Sequence, residues 1–242
     1  MIDLLVAFVV FLASFTQGVV GFGFGLVTMA FLPLIVPETF AIPFVAVYGT
    51  VVSVIIAWQL RAKLAWRHAL PLIIGTAVGV PIGVLVVSSA NPLHIKLVLG
   101  VVLIAYTLWA LFFSNVKEVH VPDGWGYLAG ASGGVLGAFN TGGPPVVVYT
   151  TLVRWEKDLT TSTLQVVFVL TGLIQLVGFG ATGMLDAEVL TKNLVFAPAM
   201  VAGVLLGHFL YKRIDQVTFR RILLSVLLVV GVVYVQMSTS QL

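Results

Sequence analysis

The part of the sequence that decides the fold is GGVLGAFNTGGPP, residues 133–145, which lies within a charge-free apolar run at 124–153. Glycine weakens a helix, and proline breaks one in its interior. At 1.5 Å per residue, helices over 125–139 and 144–154 would be about 22 Å and about 16 Å long. Neither length crosses a hydrocarbon core of about 30 Å. We therefore predict a helical hairpin that turns inside a membrane near residues 140–143.

The composition supports a membrane setting for the whole chain. Of its 242 residues, 60% are hydrophobic and 9% are charged, whereas soluble proteins carry about 25% charged residues. The apolar runs lack the alternating polarity of a β-barrel, and helices satisfy backbone groups in lipid, so we predict an all-α polytopic membrane protein. The charge-free runs are 4–37, 39–60, 69–93, 97–116, 124–153, 159–185, 193–211 and 222–242.

A second glycine-rich stretch, TQGVVGFGFG at residues 16–25, opens the first half of the chain. Its GVVG at 18–21 matches GVLG at 134–137 with an offset of 116 residues. Pairs of glycines four residues apart also recur in both halves, and such pairs let membrane helices approach closely. These pairs are Gly79 with Gly83 and Gly203 with Gly207.

The matches predict a duplicated chain, with an N-terminal repeat at 1–116 and a C-terminal repeat at 117–242 in one integral membrane domain. Each repeat is expected to be a glycine-rich helical hairpin plus three transmembrane helices. The alternative is that glycine pairs of this kind are common in membrane helices and carry no record of duplication.

Loop charges predict the orientation, because basic residues mark the cytoplasmic side. Ten of the twelve Lys and Arg residues fall on one side of the membrane if the segments 2–36 and 125–153 each enter and leave the membrane on the same face. Single crossings would instead divide them five against seven. The favoured arrangement inverts one repeat relative to the other and puts both termini outside the cytoplasm. We therefore expect a multi-pass protein of a bacterial inner membrane. The ten are Arg61, Lys63, Arg67, Lys117, Arg154, Lys157, Lys212, Arg213, Arg220 and Arg221, and the other two are Lys96 and Lys192.

The hairpins are the candidate binding elements. Pro144 suits the first turn of a helix, Asn140 or Thr141 is expected to cap that helix, and a helix start attracts anions. Inverted repeats are a transporter architecture with a site near the midplane. The alternative is that the hairpins only pack and that polar residues such as Gln175 only bond between helices. The predicted substrate-binding residues are Gln17, Gly21, Gly23, Gly25, Asn140, Thr141, Gly142, Gly143 and Gln165.

Other functional classes receive no support from the sequence. There is no cysteine, no metal-ligand spacing and no nucleophile motif, so we expect no enzymatic activity, no metal and no cofactor. The net charge of +3 is explained by orientation rather than by nucleic-acid binding. A non-transporting assembly or structural subunit of a membrane complex remains the alternative to a transporter.

The two glycine-rich hairpins, the LRAK segment at 60–63 and the paired-glycine helix near the end of each half resemble the TauE/SafE family of sulfite-exporter-like membrane permeases. The resemblance covers nearly the whole chain. It implies export of sulfite, sulfoacetate or another small sulfur or organic anion by alternating access. An exposed paired-glycine face would also permit a homodimer.

The apolar runs contain no Asp, Glu, Lys or Arg. Proton-coupled carriers usually have an ionisable relay at that depth, so we expect efflux driven by the membrane potential. The alternative is proton-linked transport in which the substrate carries the proton, since bisulfite and sulfite interconvert near neutral pH.

Overall fold

Long apolar helices make up most of the chain. A computed structural model describes residues 1–112, 121–122, 124–210 and 213–240, apart from the side chains of Lys157 and Gln216. Within these residues the chain forms ten α-helices and no strand, which confirms the all-α prediction. The helices are α1 (Ile2–Val20), α2 (Phe24–Phe31), α3 (Glu38–Gln59), α4 (Trp66–Ser89), α5 (Pro92–Phe112), α6 (Trp125–Gly137), α7 (Gly143–Leu152), α8 (Lys157–Ala181), α9 (Ala187–Leu210) and α10 (Gln216–Thr239).

Seven of the described helices are long and apolar enough to cross a membrane, namely α1, α3, α4, α5, α8, α9 and α10. The short helices α2, α6 and α7 all belong to the two glycine-rich stretches, which we call hairpin 1 (α1 and α2) and hairpin 2 (α6 and α7). The hairpins are unequal. The first helix of hairpin 1 has 19 residues, about 28 Å, whereas that of hairpin 2 has 13.

The described helices group into two compact units by their mutual contacts. Unit 1 is Met1–Val45, Ala90–Phe113 and Asp186–Leu242, and unit 2 is Ala46–Ser89 and Ser114–Leu185. Each unit takes helices from both predicted repeats. The predicted repeat boundary at 116/117 lies outside the described residues, as do Lys117 and Lys212, so the division into repeats stays a prediction.

In unit 1, α1 and α9 pack backbone against backbone. A Cβ atom added to Gly203 would lie 2.4 Å from the Phe11 carbonyl oxygen, and one added to Gly207 would lie 2.4 Å from that of Phe15. Only glycine permits this approach, as the paired glycines predicted. The contacts advance together along both helices, so α1 and α9 run parallel.

Contacts at one end of unit 1 show how hairpin 1 connects to the rest of the unit. The Lys192 ammonium bonds the Asp3 carboxylate at 2.8 Å, which brings the starts of α9 and α1 together. The Phe44 ring packs edge-on against Phe196 at 6.1 Å, so the start of α3 lies by the start of α9 as well. Because α1 and α3 begin at the same end of the unit, the intervening α2 runs back toward that end.

A second helix pair completes unit 1. Helices α5 and α10 run antiparallel, because the Ser238 hydroxyl near the end of α10 donates to the Leu93 carbonyl at the start of α5. Midway along the pair, a Cβ atom on Gly100 would lie 2.8 Å from the Gly231 carbonyl oxygen. The Tyr234 hydroxyl donates to the Ala30 carbonyl at 2.9 Å and so fastens the end of α2 to α10.

Unit 2 repeats the close pairing with other helices. A Cβ atom on Gly75 would lie 2.2 Å from the Tyr127 carbonyl oxygen, and one on Gly79 would lie 2.1 Å from that of Ala131. Helices α4 and α6 are therefore parallel and in backbone contact. The matching contact of Gly83 lies one turn further along α4, where its Cβ atom would be 2.4 Å from the Val135 carbonyl oxygen.

Helix α8 runs parallel to α4 in unit 2. Lys63, just before α4, pairs with Asp158 at the start of α8 at 3.7 Å. Near the other end, a Cβ atom on Gly178 would meet the Val84 side chain at 2.7 Å. Since α6 and α8 both run parallel to α4, α7 runs back between them.

We expect Gly79→Ala to destabilise the folded protein, because its methyl group would overlap the Ala131 carbonyl and force α4 away from α6. Overpacking of this kind costs about 1–3 kcal/mol. The measurement is the thermal unfolding midpoint in detergent. Gly180→Ala is the control, since nothing lies within 4 Å of its added Cβ atom. Equal midpoints for the two variants would contradict the tight packing.

Candidate functional site

The turn of hairpin 2 closes the end of α6 with its own residues. The Asn140 N–H donates to the Gly137 carbonyl at 2.6 Å, and the Thr141 N–H donates to the Leu136 carbonyl at 3.1 Å. The Thr141 hydroxyl donates to the same Leu136 carbonyl, also at 3.1 Å. Asn140 has a φ of 58°, a left-handed conformation that asparagine adopts more readily than most residues.

A buried glutamine on α8 supports this turn from outside the hairpin. The Gln175 amide nitrogen donates to the Gly137 carbonyl at 2.9 Å and to the Asn140 side-chain oxygen at 3.4 Å. Gln175 is 2% exposed. The sequence marked Gln175 as a polar residue inside the membrane, but it was not among the predicted site residues. Its role in fixing the turn depends on a partner that is 35 residues away in the chain.

The start of α7 differs from the expectation. Its N-cap residue is Gly142, and no side chain caps it, so the prediction that Asn140 or Thr141 caps α7 is wrong. The Thr141 hydroxyl instead donates to the Leu136 carbonyl at the end of α6, which also accepts from the Thr141 N–H.

The buried start of α7 offers two backbone donors. The N–H groups of Gly142 and Gly143 have no acceptor among the described residues. Pro144 and Pro145 have no N–H to offer. The helix terminus therefore presents two N–H groups, both on glycine and both buried, at the positive end of the α7 dipole.

The two glycines differ in what their missing side chains permit. A Cβ atom on Gly142 would lie 2.2 Å from the Gly133 carbonyl oxygen, so packing within hairpin 2 explains that glycine. A Cβ atom on Gly143 would lie 3.4 Å from the Phe168 ring, an ordinary contact. Packing therefore does not require glycine at position 143.

Gln165 lies in the same unit as hairpin 2. It is fully buried on α8, one turn before Phe168, the residue that a side chain at position 143 would meet. Unit 2 therefore brings together five of the predicted site residues. They are Asn140, Thr141, Gly142, Gly143 and Gln165.

The other four predicted residues form the turn of hairpin 1, in unit 1. Gly21 and Gly23 have φ angles of 88° and 107°, which glycine adopts without strain. The Gln17 side-chain oxygen accepts from the Phe24 N–H at 2.9 Å and caps the start of α2. Gly25 follows in the first turn of α2, and its N–H has no acceptor in the part of the chain that the structure describes.

Sequence reasoning missed a buried ion pair in unit 1. The Lys96 ammonium lies 3.0 Å from a Glu38 carboxylate oxygen, and Glu38 is 5% exposed. Glu38 separates two charge-free runs, which placed it in a loop. The signal that was available is Pro37 followed by an acidic residue, a pattern typical of a helix start.

A search against family models matches residues 6–234 to the family described as Sulfite exporter TauE/SafE. The match includes both hairpins. Comparison with curated proteins and with solved structures gives no match.

Proposed function

Because the chain belongs to the TauE/SafE sulfite exporter family, we propose that it exports sulfite or a related organosulfur anion across a bacterial inner membrane by alternating access. It is a multi-pass membrane protein with seven apolar helices of spanning length among its described residues. The observation that carries the proposal for this chain is the start of α7, where two buried glycine N–H groups have no acceptor among the described residues.

The chemistry of these donors suits a sulfur oxyanion. Sulfite oxygens accept charge-assisted hydrogen bonds, and a helix start adds the positive end of its dipole. We assign anion contact to the N–H groups of Gly142 and Gly143, with Gly25 as the corresponding donor in hairpin 1. Gln17, Asn140 and Thr141 hold the turns, so their proposed role is to position these donors.

Neutral donors also favour release. A site built from N–H dipoles holds an anion less tightly than a buried arginine would, and an exporter must let its cargo leave. Packing does not explain the glycine at position 143, which favours sulfite export over a purely structural role. The packing of Gly142 by itself would fit either role.

We infer that the two repeats are inverted, as the loop charges predict. Support comes from the pairing of each hairpin with a helix from the other predicted repeat. In unit 1, α1 runs parallel to α9; in unit 2, α6 runs parallel to α4. Under the repeat alignment, these two pairs are the same pairing made twice. The direction of α2 and α7 supports hairpins that enter and leave on one face.

The ion pairs support an orientation with both termini outside the cytoplasm. On the predicted outer face, Lys96 pairs with Glu38 and Lys192 pairs with Asp3. On the predicted cytoplasmic face, Arg213, Arg220 and Arg221 form no ion pair with any described residue, and all three belong to unit 1. Within unit 1, the basic residues of the predicted outer face are thus paired with carboxylates, whereas these three arginines on the predicted cytoplasmic face are not.

We expect a Gly143→Val variant to fold but to lose at least about tenfold in sulfite flux, since one charge-assisted hydrogen bond is worth about 1.5–3 kcal/mol. The branched side chain is expected to hinder the close approach of an anion to the backbone at the start of α7. Flux is measured with purified protein in liposomes. Gly180→Ala is the control, because its added methyl group meets no atom within 4 Å. A folded Gly143→Val protein with normal flux would show that hairpin 2 only packs.

The orientation can be tested by cysteine accessibility, because the native chain has no cysteine. Ala62→Cys, between α3 and α4, and Glu188→Cys, in the first turn of α9, place single thiols at exposed positions. In intact cells, a membrane-impermeant maleimide should label the second variant and not the first. Labelling of both, or of Ala62→Cys alone, contradicts the proposed orientation.

We expect a potassium diffusion potential imposed with valinomycin to drive sulfite flux in proteoliposomes without a pH gradient. An inside-negative potential favours outward movement of one negative charge by about 2.3 kcal/mol per 100 mV. Accumulation driven by a pH gradient alone, with no response to the potential, would establish proton-linked transport instead. Glu38→Gln would then show whether the buried carboxylate takes part.

A further inference from the structure

A groove in unit 1 lies outside the donors assigned to the anion. It has an empty volume of about 340 Å³, part of which is open to the surroundings. Its walls come from the turn of hairpin 1, the start of α2, and helices α5 and α10. The lining residues are Val20, Phe22, Gly23, Leu26, Val27, Tyr106, Arg220, Leu223, Leu224 and Leu227.

The groove is lined mainly by apolar side chains, together with one charged side chain. Arg220 is the single charged side chain in the groove, and Tyr106, at 5% exposure, offers little polar surface. The remaining lining residues are glycine or carry apolar side chains. A ligand that fits this chemistry needs an alkyl part and an anionic group at one end. Sulfite has no alkyl part and sulfoacetate has a single methylene group, so the long apolar lining of the groove suits neither cargo.

The lining residues on α10 show the direction in which the groove runs. Arg220 lies in the second turn of α10, close to the end of the span. Leu223 and Leu227 follow three and seven residues later and so lie on the same face of the helix. The apolar lining therefore extends about 10 Å inward from the guanidinium. A charged head at the membrane surface with a chain pointing inward is how a phospholipid lies in one leaflet.

We propose that this groove binds an anionic phospholipid, with its phosphate paired to Arg220 and one acyl chain along Leu223 and Leu227. Basic pockets between transmembrane helices suit anionic lipid head groups, and the guanidinium forms no ion pair with any described side chain. Phe22 and Gly23 belong to the turn of hairpin 1, so the bound chain lies directly against that turn. The proposal does not depend on which anion is transported.

The test is native mass spectrometry of the full chain, titrated in detergent with phosphatidylglycerol or phosphatidylcholine. Arg220→Gln should weaken phosphatidylglycerol binding about fivefold and leave phosphatidylcholine binding unchanged. Arg221→Gln is the matched control, since it removes the same charge from an adjacent, exposed position that does not line the groove. Equal effects of the two substitutions, or equal binding of both lipids by the unmodified chain, would overturn the proposal.

A second variant tests the acyl-chain half of the site. Leu223→Trp fills the groove from a half-buried position and should lower phosphatidylglycerol binding while keeping both basic residues. The thermal unfolding midpoint without added lipid shows that the variant is folded. Unchanged lipid binding by folded Leu223→Trp would overturn the proposal. So would a change in its oligomeric state, because that result would assign the groove to a second copy of the chain.

Discussion

Every backbone N–H and C=O group inside a membrane must find a partner within the protein, and the two hairpin turns are where this requirement is hardest to meet. Each turn ends one helix and begins another, so carbonyls and N–H groups there have no partner within a helix. In hairpin 2, Gln175 and Thr141 satisfy the carbonyls at the end of α6. In hairpin 1, Gln17 satisfies the first N–H of α2. We assign to the anion three turn amides that have no acceptor among the described residues, those of Gly25, Gly142 and Gly143.

Glycine determines how the remaining helices assemble. Lipid gives helices no hydrophobic reason to associate, so close packing must supply the attraction. The α1–α9 pair in unit 1 and the α4–α6 pair in unit 2 achieve this through glycines whose missing side chains admit a neighbouring carbonyl. Gly142 belongs to the same class, whereas Gly143 does not. The distance from an added Cβ atom to its nearest neighbour thus separates the glycines that close packing requires from Gly143, which packing does not explain.

The sequence predicted the spans well, because charge-free runs and helix length are both set by the thickness of the bilayer. The α6–α7 break was also predictable, since glycine and proline act locally. The hydrogen-bond partners of the residues in the turns could not be predicted. Gln175 reaches Asn140 only through tertiary packing, and the Thr141 hydroxyl donates to the Leu136 carbonyl instead of accepting from the start of α7. The length of α1 could not be predicted either. Gly18 weakens an isolated helix, but in this structure it lies against the backbone of α9.

The exchange of helices between the predicted repeats has a consequence for the origin of the chain. Hairpin 1 packs on α9 and hairpin 2 packs on α4, so neither half contains the partner of its own hairpin. Under the inverted repeat that we propose, a half-length ancestor would have been incomplete alone. It would have needed a second copy, in the opposite orientation in the same bilayer, to supply the missing helix. Gene fusion would then have turned an antiparallel pair of identical polypeptides into one chain with a fixed stoichiometry.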